Sequence, residues 1–259
     1  MKIKSFLSLI LFFVSITLYC QLSLQVEELK YDAFTPYVPK NDFVDDIEFK
    51  YRGHIFEISI FNNSEKPISL PLDTLSYVLP YAENTKLYYK GEDFIRDPDL
   101  FNVLGVYPFL YQKNKFIDKE FDMSHHLEIL PKTNQTEIDK LKTERLIKIK
   151  EWKEKNKLGS DLHSIYNWYI LKSMITIAPK TTIKYKIYFN PFLKRQDLFD
   201  YHEFYWRLNP DIPYKATFKL ILNKNLYKYL SKGDKKKYVN LFIGVITSES
   251  MNISTNPKK

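Results

Sequence analysis

Three separate stretches of the chain alternate apolar and polar residues with a period of two, and a helix built from them would scatter its apolar side chains around the whole cylinder. In His54-Ile-Phe-Glu-Ile-Ser-Ile-Phe61, residues His54, Phe56, Ile58 and Ile60 share one face, and Glu57 and Ser59 share the other. From Thr182 to Phe189, Ile183, Tyr185, Ile187 and Phe189 point one way while Lys184 and Lys186 point the other. From Tyr214 to Leu222, the inward set is Ala216, Phe218, Leu220 and Leu222, with Lys215, Thr217 and Lys219 outward. A fourth stretch, Val239 to Ile246, is apolar on both faces, as expected of a central strand. Tyr201–Leu208 and Met174–Ile177 read as shorter strands. The joining segments, Asn62-Asn-Ser-Glu-Lys-Pro67 and Ala178-Pro-Lys-Thr181, are rich in turn formers.

Short strands separated by turns predict sheet packed on sheet. With 44% hydrophobic and 16% aromatic residues in 259, the chain has ample apolar surface for such a core. Its 6 glycines are scattered, which removes the glycine-rich loops that cradle nucleotide phosphates. The single cysteine, Cys20, removes thiol zinc fingers, iron–sulfur clusters and internal disulfides.

Glu57-Ile-Ser-Ile-Phe-Asn-Asn-Ser-Glu-Lys-Pro-Ile-Ser-Leu70 and Ile175-Thr-Ile-Ala-Pro-Lys-Thr-Thr-Ile-Lys-Tyr-Lys-Ile-Tyr-Phe189 resemble the strand–turn–strand pieces of immunoglobulin-like β-sandwich domains in bacterial exported proteins. The resemblance implies an antiparallel β-sandwich that serves as a binding or structural scaffold.

One segment departs from the strand pattern. Asn134-Gln-Thr-Glu137 reads as a capping box, and Ile138, Leu141, Ile149 and Trp152 fall within about 80° of one another at 100° per residue, so a helical insertion is expected around residues 134–158, ending before Gly159. Ser160–Trp168 reads as the start of a second helix, which makes the whole insert 133–170. The expected organisation is one mainly β sandwich domain over 21–259 with this insert lying on a sheet. The alternative is two domains split near Pro131.

At the N-terminus, Lys2 and Lys4 precede thirteen uncharged residues, Phe6 to Leu18, and polar sequence begins at Gln21. That arrangement resembles a secretory signal peptide over 1–20, too short for the roughly 20 apolar residues of a membrane span. It places the mature chain outside the cytosol, in the periplasm, at the cell surface or in the medium. Cys20 also invites a lipid-anchored reading, although Tyr19 stands where lipoprotein signals favour a small residue.

The formal charge of +8 is unevenly spread. Residues 21–131 hold 11 basic and 19 acidic residues, a balance of −8; 132–212 hold 16 and 10, giving +6; 213–259 hold 10 and 2, giving +8. A basic C-terminal part suggests anionic partners such as phosphorylated lipid or acidic glycan, or else lysines that keep strand edges soluble. Export argues against nucleic acid. Membrane association would run through a lipidated Cys20 or the basic helix.

No catalytic constellation emerges. His202-Glu203 lacks the second histidine of a metalloprotease helix. His54 reads as a partly buried strand residue; His125, His126 and His163 complete the set. Asp118, Glu120 and Asp122 with His125 and His126 form the one metal-like cluster, read as an acidic edge strand because no glycine-containing ion loop accompanies it. Asp42, Asp45 and Asp46, Glu92 and Asp93, and Asp97 and Asp99 are candidate glycosidase carboxylates if two lie about 5 to 10 Å apart. Tyr88, Tyr89, Tyr107, Phe109, Tyr111, Tyr166, Trp168, Tyr169, Tyr205 and Trp206 are candidate sugar-stacking rings or core residues. No catalytic, cofactor or metal residue is assigned. The expected function is an exported, envelope-associated protein that binds or organises an envelope protein or glycan. The alternatives are a secreted carbohydrate-active or metal-dependent hydrolase and a membrane-anchored lipoprotein subunit of an envelope complex.

Overall fold

The computed structural model describes residues 21–30, 53–74, 104–117, 119–122, 132–189, 191, 195–196, 203–206, 208–209 and 211–253. Among them, strand residues outnumber helical ones, and every strand pair is antiparallel.

The first sheet has the order β1(Leu22–Leu29), β2(His54–Asn62), β8(Thr182–Phe189). The expected inward set of β2 is buried: His54, Phe56, Ile58 and Ile60. Ile187 and Phe189 of β8 join them, with Lys184 and Lys186 outward. β1 completes the face with Leu22 and Leu24.

A second sheet has the order β12(Gly244–Thr247), β11(Tyr214–Leu222), β4(Tyr107–Gln112), β5(Lys115–Ile117). β13(Met251–Ile253) also pairs with β11, on Tyr214–Ala216, while β12 pairs with Lys219–Leu222. Between them Ser248 bridges to Phe218 twice, its backbone N–H donating to the Phe218 carbonyl at 2.9 Å and its Oγ accepting from the Phe218 N–H at 3.0 Å. β4 and β5 form a two-residue hairpin in which Lys113 and Asn114 both have positive φ, 50° and 63°, as a type I′ turn requires.

The inner faces of these sheets meet. Phe56 of β2 packs edge-to-face on Phe218 of β11 at 5.0 Å between ring centroids, and His54 approaches Tyr214 at 6.2 Å. This mostly β, antiparallel arrangement is compatible with a β-sandwich. Two smaller sheets accompany it: β3(Ile68–Pro71) with β7(Met174–Ile177), and β6(Lys119–Asp122) with β10(Glu203–Trp206) and β9(Arg195–Gln196).

The insert between β6 and β7 is two helices, α1(Lys132–Asn156) and α2(Asp161–Ser173). Ser160 caps α2, its Oγ accepting from the His163 N–H at 3.1 Å. The expected capping box does not open α1: the helix begins at Lys132, directly after the sequence position of Pro131, a residue that favours helix entry, and Asn134 lies inside the first turn. α1 packs on α2, and α2 in turn meets β3. Ile149 is buried there, and the Trp152 indole N–H donates to Asn167 Oδ1 at 3.1 Å while Asn167 Nδ2 donates to the Tyr229 carbonyl. A 3₁₀ helix (Lys224–Tyr229) and α3(Lys232–Lys237) follow β11.

The fourth apolar stretch is corrected by the structure. Within Val239–Ile246 only Gly244–Ile246 belong to a strand, and β12 lies at the sheet edge rather than its centre. Asn240 and Gly244 both take positive φ, 51° and 143°, which interrupts any longer strand. Leu241, Phe242 and Ile246 turn inward, while Val239, Ile243 and Val245 remain about half exposed.

Asn62 shows how the turns are fixed. Fully buried, it donates from Nδ2 to the carbonyls of Lys66, Ile177 and Ala178 and accepts at Oδ1 from the Ser64 N–H and hydroxyl. One side chain thus ties the β2–β3 turn to the β7–β8 turn, satisfying a buried amide that would otherwise cost about 1–3 kcal/mol.

Candidate functional site

Each sheet has one strand at the same side of the molecule: β1, hydrogen-bonded to β2 alone among the described strands, and the β12–β13 edge of β11. A cleft of about 700 Å³ lies between them. Its floor is made by inward residues of both edges, Leu22, Leu24, Val26, Ile246 and Met251. Its rims are polar: Ser23, Gln25 and Glu27 from β1, Glu57 and Ser59 from β2, Lys184 from β8, and Thr247 to Ser250 opposite.

The strand register explains this dressing. Glu27 stands directly across from Glu57, and Gln25 across from Ser59, all on the outward face of the first sheet. Two carboxylates so placed repel. Lys184 relieves them, its Nζ donating to Glu57 Oε1 at 2.6 Å. The hydrogen bond and charge of Glu57, with a further contribution from Glu27, hold the Lys184 ammonium above its usual range. On the other wall, Ser248 is turned inward by its bridge to Phe218 and donates its hydroxyl to the Glu249 carbonyl at 2.7 Å. That kink leaves Glu249 and Ser250 exposed at the rim. The rim therefore sets three carboxylates against one ammonium, among hydroxyl and amide groups, over an apolar floor. This chemistry suits a ligand with many hydroxyls and an apolar ring face.

A second polar cluster lies in the core. His54 is not partly but almost wholly buried, while its partner Glu28 remains half-buried: Nδ1 lies 2.7 Å from Glu28 Oε1. Phe56 stacks beside the imidazole at 5.9 Å. Burial, reinforced by the charge of Glu28, pushes the Tyr214 phenol well above its ordinary range. A comparable arrangement joins Tyr169, whose hydroxyl donates to Asp73 Oδ2 at 2.6 Å, and Tyr185 of β8, raised by burial and then by Asp73. His54 does not line the cleft.

The candidates read from sequence are scattered. Glu120 and Asp122 lie on β6, at the edge of its three-stranded sheet, while Asp118, His125 and His126 are outside the described residues. Also outside them are Cys20, Asp42, Asp45, Asp46, Glu92, Asp93, Asp97, Asp99, His202, Tyr88 and Tyr89. No group of three or more potential metal ligands occurs among the described residues. His163 sits on α2 against Tyr229. Trp168, Tyr169 and Trp206 are core residues; Tyr107, Phe109 and Tyr111 are half-buried on the outer face of β4. The cleft residues Gln25, Glu27 and Glu249 were not foreseen. The signal for Glu27 was present only as its position opposite Glu57, which requires the β1–β2 register.

Comparison with protein-family models, with curated proteins and with solved structures finds no match for the chain. Among the described residues, no helix is long and apolar enough to cross a membrane.

Proposed function

We propose that the chain is an exported, envelope-associated protein of immunoglobulin-like sandwich fold that binds a glycan in the cleft between β1 and the β12–β13 edge. The leader-like segment over 1–20 supports export, and the facing inner sheets with the strand–turn–strand pieces at Glu57–Leu70 and Ile175–Phe189 support the fold. The carrying observation is the cleft itself, with acceptors and donors on both rims and an apolar floor. Carboxylates and amides pair with vicinal hydroxyls, while aliphatic side chains meet the C–H face of a pyranose.

The test is calorimetric titration with a panel of envelope oligosaccharides, beginning with N-acetylglucosamine tetrasaccharide. Glu27→Gln and Gln25→Ala are each expected to weaken binding about tenfold, the loss of roughly one hydrogen bond to a charged or amide group. Absence of binding across the panel, or binding that survives both substitutions, overturns the reading. The edge of β1, which no other described strand pairs with, favours one other occupant, an extended segment of an envelope protein added as a strand. Such a segment would bring new amide-exchange protection to Ser23–Glu27, which a sugar would not.

A further inference from the structure

The surface after β11 combines two features that rarely coincide on a face left to solvent. The first is apolar: Ile221, Val239, Ile243 and Val245 are all 48–53% exposed. Ile221 and Val245 are direct cross-strand partners on the outer face of β11 and β12. Ile243, half exposed and two residues before Val245, leads into β12, while Phe242 before it is buried and its carbonyl is held by the Tyr227 hydroxyl at 2.6 Å. The second feature is charge. Lys224, Lys228, Lys232 and the run Lys235–Lys237 are all exposed in the 3₁₀ helix and α3 that lead into this edge. The single acid of α3, Asp234, is turned onto its own helix start, accepting from the Ser231 N–H at 2.9 Å. Residues 213–259 as a whole hold 10 basic residues against 2 acidic.

We infer that this edge docks on an anionic bilayer surface, with the Lys224–Lys237 lysines on the headgroups and Ile243, Val245 and Ile221 at the level of the acyl boundary. A negatively charged lipid surface attracts each lysine held within a Debye length, and small aliphatic residues add burial without needing a shaped partner. The position is distinct from the basic helix α1, where the sequence placed any protein-mediated membrane contact. It adjoins the cleft, since β12 carries Val245 on this surface and gives Ile246 and Thr247 to the cleft wall, but Ile221, Ile243 and Val245 are not cleft-lining residues.

The test is co-sedimentation of the full chain with vesicles of phosphatidylcholine alone and of phosphatidylcholine with phosphatidylglycerol. The apolar leader partitions into both compositions, so the quantity read is the preference for anionic vesicles. That preference is expected to fall by about a hundredfold in the K235Q/K236Q/K237Q variant, taking roughly one kcal/mol per lysine. Ile243→Ser combined with Val245→Thr, at exposed positions, is expected to weaken anionic binding several-fold with an unchanged unfolding midpoint. Equal binding to the two compositions by the unsubstituted chain, or full retention of the preference in both variants, overturns the inference.

Discussion

The two facing sheets have inner faces of the same kind and outer faces of opposite kinds. Inside, both are mainly aliphatic and aromatic: Leu24, Phe56, Ile58 and Ile187 on the first, Leu110, Ala216, Phe218 and Leu220 on the second. Outside, the first presents Gln25, Glu27, Glu57, Ser59, Lys184 and Lys186, a set of paired charges and hydrogen-bonding groups. The second presents Tyr107, Phe109 and Tyr111 on β4, Phe116 on β5, Ile221 on β11 and Val245 on β12, with Lys215 and Lys219 between. The Lys219 ammonium lies 4.4 Å from the Phe109 ring centroid. Folding needs only the inner faces. The outer faces are therefore free to differ: one is polar with paired charges, the other aromatic and aliphatic with lysines between.

The largest expected effect tests the shared part of that comparison. Phe218 is fully buried where the two inner faces touch, so Phe218→Ala is expected to lower stability by about 3–5 kcal/mol in urea unfolding. Because one continuous core joins the two sheets around this contact, both should still unfold in one transition. A loss below about 1 kcal/mol, or two separate transitions, would break the picture of one joint core.

Alkaline pH probes the same interior through its phenols. Burial raises Tyr185, Tyr214 and Tyr227, so the native state favours their protonated forms more strongly than the unfolded chain does. For a raised group, the stabilisation is complete below the unfolded value, about 10 for tyrosine, and is lost as pH climbs toward the folded value. The urea midpoint should stay level up to about pH 9.5 and fall beyond pH 10, with Tyr214→Phe flattening part of the fall. Phenol absorbance that titrates fully near pH 10 while the fold persists would contradict the burial of these three rings.

The same contrast explains which elements sequence reveals. Strands β2, β8 and β11 were legible because their outward positions hold Glu, Ser, Thr and Lys, so the alternation stands out against polar residues. Strand β4 was not, since Tyr107-Pro-Phe-Leu-Tyr111 is apolar on both faces and contains Pro108, which normally argues against a strand. Pro108 is tolerated because β5 pairs only with Leu110–Gln112, leaving Pro108 with β11 on one side. β1 was hidden by Glu28, a half-exposed carboxylate at an inward position that pairs with the buried His54. The cleft shares that difficulty. Its residues come from strands more than two hundred positions apart, and only the register of β1 on β2 and the kink at Ser248 bring them into one place.

The smallest expected effects separate the outer faces themselves. Removing one cation from the first face with Lys184→Gln breaks the 2.6 Å ion pair of Glu57 and leaves Lys186, its cross-strand partner, to offset the Glu27–Glu57 repulsion, so the unfolding midpoint should drop slightly at low ionic strength. That drop should vanish near 1 M salt, where the screening length is about 3 Å. Ile221→Ser on the second face removes a half-exposed aliphatic group from water, and its midpoint should lie within about 0.5 kcal/mol of the unsubstituted chain at either salt concentration. Salt sensitivity confined to the first face ties its polarity to the paired charges that shape the cleft. If instead Ile221→Ser proves the more damaging change, the second face is contributing to the fold, and its exposed aliphatic residues need no outside partner to explain them.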